Sequence, residues 1–142
     1  MTGPEIAAAL VADLNAATFS RPVAAVRAVL PIYELGEMDD LHVTVVLTGR
    51  SLAPASRSQL QIEHRLDIAV QQRLASDNPT ACDGLLALVG EIADHLSGHR
   101  LAGAPEAVWV KTEHAPLIDP VHLNELRQFT AVLTVTYRTW KP

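Results

Sequence analysis

Two histidines four residues apart, His95 and His99, lie beside the carboxylates Glu91 and Asp94. On a helix this spacing puts two imidazoles on one face, as in many metal sites. Gly98 stands between them, and glycine commonly ends a helix. We therefore expect His99 to lie beyond the helix end, where the exposed carbonyls and the helix dipole favour an imidazole. The sequence predicts no metal ion and no cofactor.

The other potentially reactive side chains also favour structural roles. His64 interrupts the apolar face of a strand, which is typical of a core or interface residue with its hydrogen bonds satisfied rather than a base. Cys82 follows a helix start, where a thiolate is stabilised, but a small buried side chain is the simpler interpretation. As the single cysteine it allows no intrachain disulfide and no Cys-rich zinc site. With no nucleophile elbow and no glycine-rich phosphate loop, we predict no catalytic residue and no enzyme.

An acidic stretch is the first of two segments that fall outside the apolar patterns. Its four carboxylates, with no basic residue among them, are Glu34, Glu37, Asp39 and Asp40. Gly36 lies within the same stretch. We expect a solvated loop rather than a catalytic acid/base pair.

The second such segment is Gly49 to Ser58, which is rich in turn-forming residues. Its candidate contact residues are Arg50, Leu52, Pro54 and Arg57. We interpret it as a connection of about ten residues between two strands, longer than a tight hairpin needs. Connections of this kind often carry function.

Five strands are predicted to hold these segments in place. The stretch from Gln128 to Trp140 alternates apolar and polar residues with the period of two of a strand buried on one face. The same criterion predicts three further strands, Leu41 to Thr48, Gln59 to Gln72 and Ala107 to Glu113. A short strand, at a sheet edge, is expected between Pro22 and Pro31 because proline is tolerated at edges.

Two helices complete the pattern. Thr2 and Glu5 form a capping-box signature ahead of an apolar stripe at every fourth residue, Ile6, Leu10 and Leu14. A second stripe consists of Leu85, Val89, Ile92 and Leu96. That helix begins either with Asn78 as cap and Pro79 at its first position, or with Thr80 as cap and Asp83 three residues on. One further helical turn is expected from Val121 to Leu126.

The order of elements, α-β-β-β-α-β-β, predicts a single α+β domain over residues 1–142. In this arrangement two helices cover one face of a mostly antiparallel sheet in two layers. The 142 residues are 49% apolar, which is typical of a globular protein. The formal charge of −5 disfavours nonspecific binding to a polyanion. No apolar run approaches the length of a spanning helix, so we expect no membrane insertion and a reducing, cytosolic setting.

This pattern resembles the tail terminator and related neck proteins of long-tailed bacteriophages. The resemblance is carried by the order of elements and by three segments, EHRLDIAVQQRL from Glu63, DGLLALVGEIAD from Asp83 and QFTAVLTVTYR from Gln128. It covers most of the chain. Its motifs are structural patterns and not catalytic signatures.

The resemblance implies a structural virion protein of the phage neck, assembled in the host cytoplasm. Such proteins form a homo-oligomeric ring, usually a hexamer, that stops the growth of the tail tube and joins the tail to the head connector. The tail tube protein and the connector would be its partners, and DNA would pass through the ring without specific binding. The acidic stretch would line the lumen, and the Gly49 to Ser58 segment would reach over a neighbouring subunit.

Two alternatives remain open at this point. One is a head completion, stopper or tube-like protein of the same neck. The more distant one is an α+β module that binds a small ligand between its helices and its sheet.

Overall fold

Five strands form one sheet in the order β1-β2-β3-β5-β4 in the computed structural model, which describes residues 1–29, 40–74 and 79–142. The elements along the chain are α1 (Gly3–Ala16), β1 (Ala25–Arg27), β2 (His42–Ser56), β3 (Gln59–Arg73), α2 (Pro79–Leu96), β4 (Val108–Glu113), α3 (Pro120–Leu126) and β5 (Gln128–Lys141). The α+β class and the predicted order are confirmed, with α3 as the expected extra helical turn. None of the helices in these residues is both long and apolar enough to span a membrane.

Helix α1 begins where the capping box predicts. The Glu5 backbone N–H donates to Thr2 Oγ1 at 3.3 Å, and the Thr2 N–H donates to a Glu5 carboxylate oxygen at 2.6 Å. These bonds satisfy amides that a helix start otherwise leaves unpaired. The helix then turns its apolar stripe, which ends at Leu14, fully into the core.

Helix α2 covers the same face of the sheet. It begins at Pro79, in agreement with proline at the first position, while Asn78 lies outside the described residues. All four residues of its predicted stripe are fully buried: Leu85, Val89, Ile92 and Leu96. It ends at Leu96, and Gly98 follows with a φ of 67°, a left-handed conformation that glycine adopts without a steric penalty.

The sheet is antiparallel except at one edge. β1 pairs in parallel with β2 over only three residues, from Ala25 opposite Val43 to Arg27 opposite Val45. β3 lies in the middle and pairs with β2 on one side and β5 on the other. Its even-numbered residues, such as Leu66, Ile68 and Val70, face α1 and α2 and form the centre of the core.

The segment from Gly49 to Ser58 differs from the prediction. It is not a loop of about ten residues, because β2 continues to Ser56 and β3 starts at Gln59. Only Arg57 and Ser58 form the turn. The proposed contact residues Arg50, Leu52 and Pro54 therefore belong to a strand and oppose His64, Ile62 and Leu60. Register shifts after Leu47 and after Pro54 accommodate residues that do not fit a regular ladder.

Candidate functional site

The far end of the β2–β3 hairpin is the most exposed ordered part of the described chain. Every residue from 50 to 60 is exposed, and we call this segment the hairpin arm. At ~3.3 Å per residue, its β2 strand, from Arg50 to Ser56, is about 20 Å long. The arm is ordered by its own ladder and by β5, which runs alongside as far as Lys141 opposite Leu60.

The chemistry of the arm differs from that of the whole chain. It contains two arginines, Arg50 and Arg57, and no acid, whereas the chain has a net charge of −5. Leu52 and Leu60 are 51% and 38% exposed. By register, both leucines continue the face that is buried further along the hairpin. A basic arm with unpaired leucines is suited to contact a partly apolar, acidic surface.

The outer edge of β2 is open along the arm. β1 covers β2 only from Val43 to Val45, and no other described strand pairs with that side. Pro54 and the two register shifts interrupt a continuous row of donors and acceptors, which is how natural sheets discourage edge-to-edge pairing. Contacts made by the arm are therefore expected to use its side chains.

A cavity of about 760 Å³ opens at the root of the arm. It lies between the start of α1, the β2 segment around Leu47 and Arg50, and the end of β5 at Thr139 and Lys141. Gly3 closes one side, because a Cβ there would come within 2.7 Å of Leu47 Cδ2. A side chain at this position would force Leu47 to move, so glycine lets α1 approach the sheet closely.

His64 lines this cavity and is only 2% exposed. Its Nε2 lies 3.0 Å from Thr139 Oγ1, while its Nδ1 has no hydrogen-bond partner among the described residues. Burial lowers the pKa of His64, and the nearby Arg50 guanidinium lowers it further. The imidazole is therefore favoured in its neutral form. The burial of His64 agrees with the predicted core role, but its hydrogen bonds are not all satisfied as expected, because Nδ1 is left without a partner among the described residues, beside a cavity.

Tyr137 opposes His64 in the β3–β5 ladder and is fully buried. Its hydroxyl has no partner in the described part of the chain. Burial raises the pKa of Tyr137, so the phenol stays protonated. The pair lies in the row of the sheet beneath the start of α1, since a Cβ on Gly3 would lie 3.5 Å from His64 Nδ1.

The acidic stretch is largely beyond what the structure describes. Glu34, Glu37 and Asp39 lie outside the described residues, and Asp40 is exposed two residues before β2. Cys82, in contrast, is placed as expected, because it is buried in the first turns of α2.

The structure brings together one group that sequence spacing does not indicate. Asp13 of α1 lies between the two imidazoles, with one carboxylate oxygen 2.8 Å from His95 Nε2 and the other 2.8 Å from His99 Nε2. His99 does lie beyond the end of α2, as predicted. The signal for Asp13 in the sequence is weak: it is a polar residue beside the apolar stripe of α1, more than 80 positions from either histidine.

Comparison with known proteins gives no family for this chain, since no family model matches it and no curated protein does either.

Proposed function

We propose that this protein is a tail terminator of a long-tailed bacteriophage, a structural subunit that forms a ring on the end of the tail tube. The ring would stop tube growth and join the tail to the head connector. The observation that carries the proposal is the hairpin arm: an ordered, basic and partly apolar projection with no role in the subunit's own core. A second support is the resemblance of the element order and of three sequence segments, two in strands and one in α2, to those of tail terminators.

A closed ring requires one surface of a subunit to meet a different surface of the next. An arm that extends past the helix layer supplies one half of such a contact. Because the arm is already paired with β3, docking orders few additional residues, and less conformational entropy is lost than for a flexible loop. In this proposal Arg50, Leu52, Pro54 and Arg57 make the contact as strand and turn residues.

In this proposal the acidic stretch lines the lumen of the ring, as the resemblance implies. Carboxylates that line the lumen would repel phosphates and let DNA slide through. A reconstruction of the assembled ring tests this, because Glu34, Glu37, Asp39 and Asp40 on the outer wall would contradict it.

Native mass spectrometry of the purified protein, alone and with tail tubes, tests ring formation. We expect masses that are multiples of 15.3 kDa, six subunits for a hexamer. Replacing residues 54–60 with Asn-Gly shortens both strands of the arm together and supplies a two-residue hairpin turn. This variant should remain folded and monomeric.

Charge reversal gives a matched pair of variants. Arg57→Glu at the arm's turn should weaken the ring, whereas Arg100→Glu, also exposed but remote from the arm in sequence, should leave it intact. A shortened arm with an unchanged ring mass would refute the role of the arm. A wild-type protein that stays monomeric even with tail tubes would refute the ring itself.

The cavity at the root of the arm favours a second function, a module that binds a small ligand. Its volume of about 760 Å³ falls in the range of ligand sites, and His64 Nδ1 offers an unused polar atom. A monomer whose melting temperature rises with a small molecule, and no longer does so in His64→Leu, would support this function over the ring. A stopper or tube-like neck protein would instead differ from a terminator in its position in the virion.

A further inference from the structure

The cluster of Asp13, His95 and His99 joins the ends of two helices, α1 and α2, that are far apart in the sequence. Asp13 lies in the last turn of α1, His95 in the last turn of α2 and His99 just after Gly98. One candidate ligand atom from each of the three residues lies within 4.8 Å of the others. We propose that these three side chains form a binding site for a divalent transition metal ion, with Zn²⁺ as the best fit.

The fold holds both imidazoles towards the carboxylate. The left-handed Gly98 reverses the chain after α2, and the His99 backbone N–H donates to the Leu96 carbonyl at 3.1 Å. The two imidazole rings lie 4.6 Å apart, and the edge of Phe19 packs against His95 with ring centroids 5.6 Å apart. Each ring is thus restrained by a neighbour as well as by Asp13.

From spacing along one helix alone, a metal site would need both histidines on one helical face. The structure removes that requirement, because the third group comes from α1 and lies between them. The position of His99 beyond the helix end favours metal binding, because the reversed chain brings its Nε2 to the second carboxylate oxygen of Asp13.

The donor set selects the class of metal. Two imidazole nitrogens and one carboxylate oxygen suit Zn²⁺ and similar transition metals, whereas Mg²⁺ and Ca²⁺ prefer oxygen ligands alone. Bonds of about 2.0–2.1 Å in a tetrahedral site separate neighbouring ligand atoms by about 3.3 Å. The two nitrogen–oxygen distances of 2.8 Å would each have to open by roughly half an ångström.

The site has room for a fourth ligand. The side chains of His95 and His99 are 28% and 36% exposed, and that of Asp13 is 13% exposed, so a water molecule can reach the centre. A bound ion would cross-link the end of α1 to the end of α2. The histidines lie 82 and 86 residues from Asp13, so this cross-link would close a long loop of the chain. The expected consequence is a metal-dependent gain in thermal stability.

Titration of the full chain, freed of metal, with Zn²⁺ and Co²⁺ tests the proposal. We expect one ion per protomer, a rise in melting temperature with Zn²⁺, and visible absorption of tetrahedral Co²⁺. Asp13→Asn, His95→Gln and His99→Gln should each weaken the affinity by roughly tenfold or more, since even residues that only orient a ligand change affinity 10–100-fold.

Two control variants test whether binding depends on these three side chains and not on another histidine or on the loss of a nearby negative charge. Asp94→Asn removes an exposed carboxylate next to His95, and His114→Gln removes a histidine of another segment; both should keep wild-type affinity. His99→Gln, which changes the most exposed ligand, guards against loss of folding as the cause. Absence of saturable binding by the wild-type chain, or equal binding by the three ligand variants, would overturn the proposal.

Discussion

The two halves of the β2–β3 hairpin share one ladder and one alternating pattern but differ in what covers them. In the inner half, Val45 and Ile68 are fully buried beneath the helices. In the hairpin arm, Leu52 and Leu60 continue the same face and are exposed. Alternation therefore tells which side of a sheet a residue faces, but it does not tell whether another layer covers that side.

The difference separates residues that fold the subunit from residues available to a partner. Burial of an aliphatic side chain contributes about 1.5–3 kcal/mol, and Leu52 and Leu60, which are 51% and 38% exposed, have gained only part of it. We call the row of His64 and Tyr137, beneath the start of α1, the boundary row, because beyond it the exposed fraction on this face rises from 7% at Ile62 to 38% at Leu60. Substitutions in the inner half should therefore mainly lower the free energy of unfolding, whereas substitutions in the arm should mainly reduce ring formation.

The largest effect is expected in the inner half. Ile68→Ala removes a fully buried side chain from the central strand and should lower the free energy of unfolding by about 2–5 kcal/mol. Urea denaturation followed by circular dichroism measures it. A loss below about 1 kcal/mol would mean that this half is not the packed core described above.

A smaller effect, of opposite sign, is expected at the boundary row. Tyr137→Phe removes a buried hydroxyl that has no partner among the described residues, so it should raise the free energy of unfolding by about 1 kcal/mol. The same denaturation experiment applies. Clear destabilisation would show that the hydroxyl is hydrogen-bonded and that the boundary is more polar than it appears.

His64 should make this row sensitive to pH. Its pKa is lowered in the folded state, so the unfolded chain binds the proton more readily. Its contribution to stability is therefore complete above the unfolded pKa of about 6.5 and is lost as the pH falls towards the lower folded value.

His64→Gln should flatten the loss of stability between pH 7 and pH 5 relative to the wild type. Melting temperatures across that range measure the difference, and His114→Gln serves as a control because His114 lies near the surface in a different segment. An unchanged slope in His64→Gln would contradict the lowered pKa.

The smallest effect on subunit stability is expected in the arm. Leu52→Ala and Leu60→Ala should lower the free energy of unfolding of the dilute monomer by about 1 kcal/mol or less, because each side chain is only partly buried. The same variants should reduce the ring population in native mass spectra. Stability losses similar to that of Ile68→Ala would instead assign the arm to the core.

Most of the fold could be predicted from the sequence because periodic burial has a direct signature. The helix stripes, the capping box of α1 and the long final strand all follow from local patterns. The arm could not, since Gly49 and Pro54 are typical turn residues, yet they are tolerated beside register shifts at an open edge. The actual turn, Arg57 and Ser58, contains neither glycine nor proline.

The candidate sites were less predictable for a different reason. Asp13 meets His95 and His99 only because α1 and α2 pack on the same face, a tertiary effect that spacing along one helix cannot reveal. The parallel pairing of β1 with β2 is likewise a long-range feature, as only three residues take part. The cavity beside His64 depends on where α1 begins above the sheet.

The ladder between β3 and β5 continues without a register shift from Arg73 opposite Gln128 to Leu60 opposite Lys141. A pull on the tip along the strand direction would load these hydrogen bonds in shear, all at once, instead of opening them one after another. Force applied to the tip would thus be shared along the full length of the central strand and passed into the body of the subunit. Resistance to tension of this kind is what the proposed role between a filled capsid and a long tube would require.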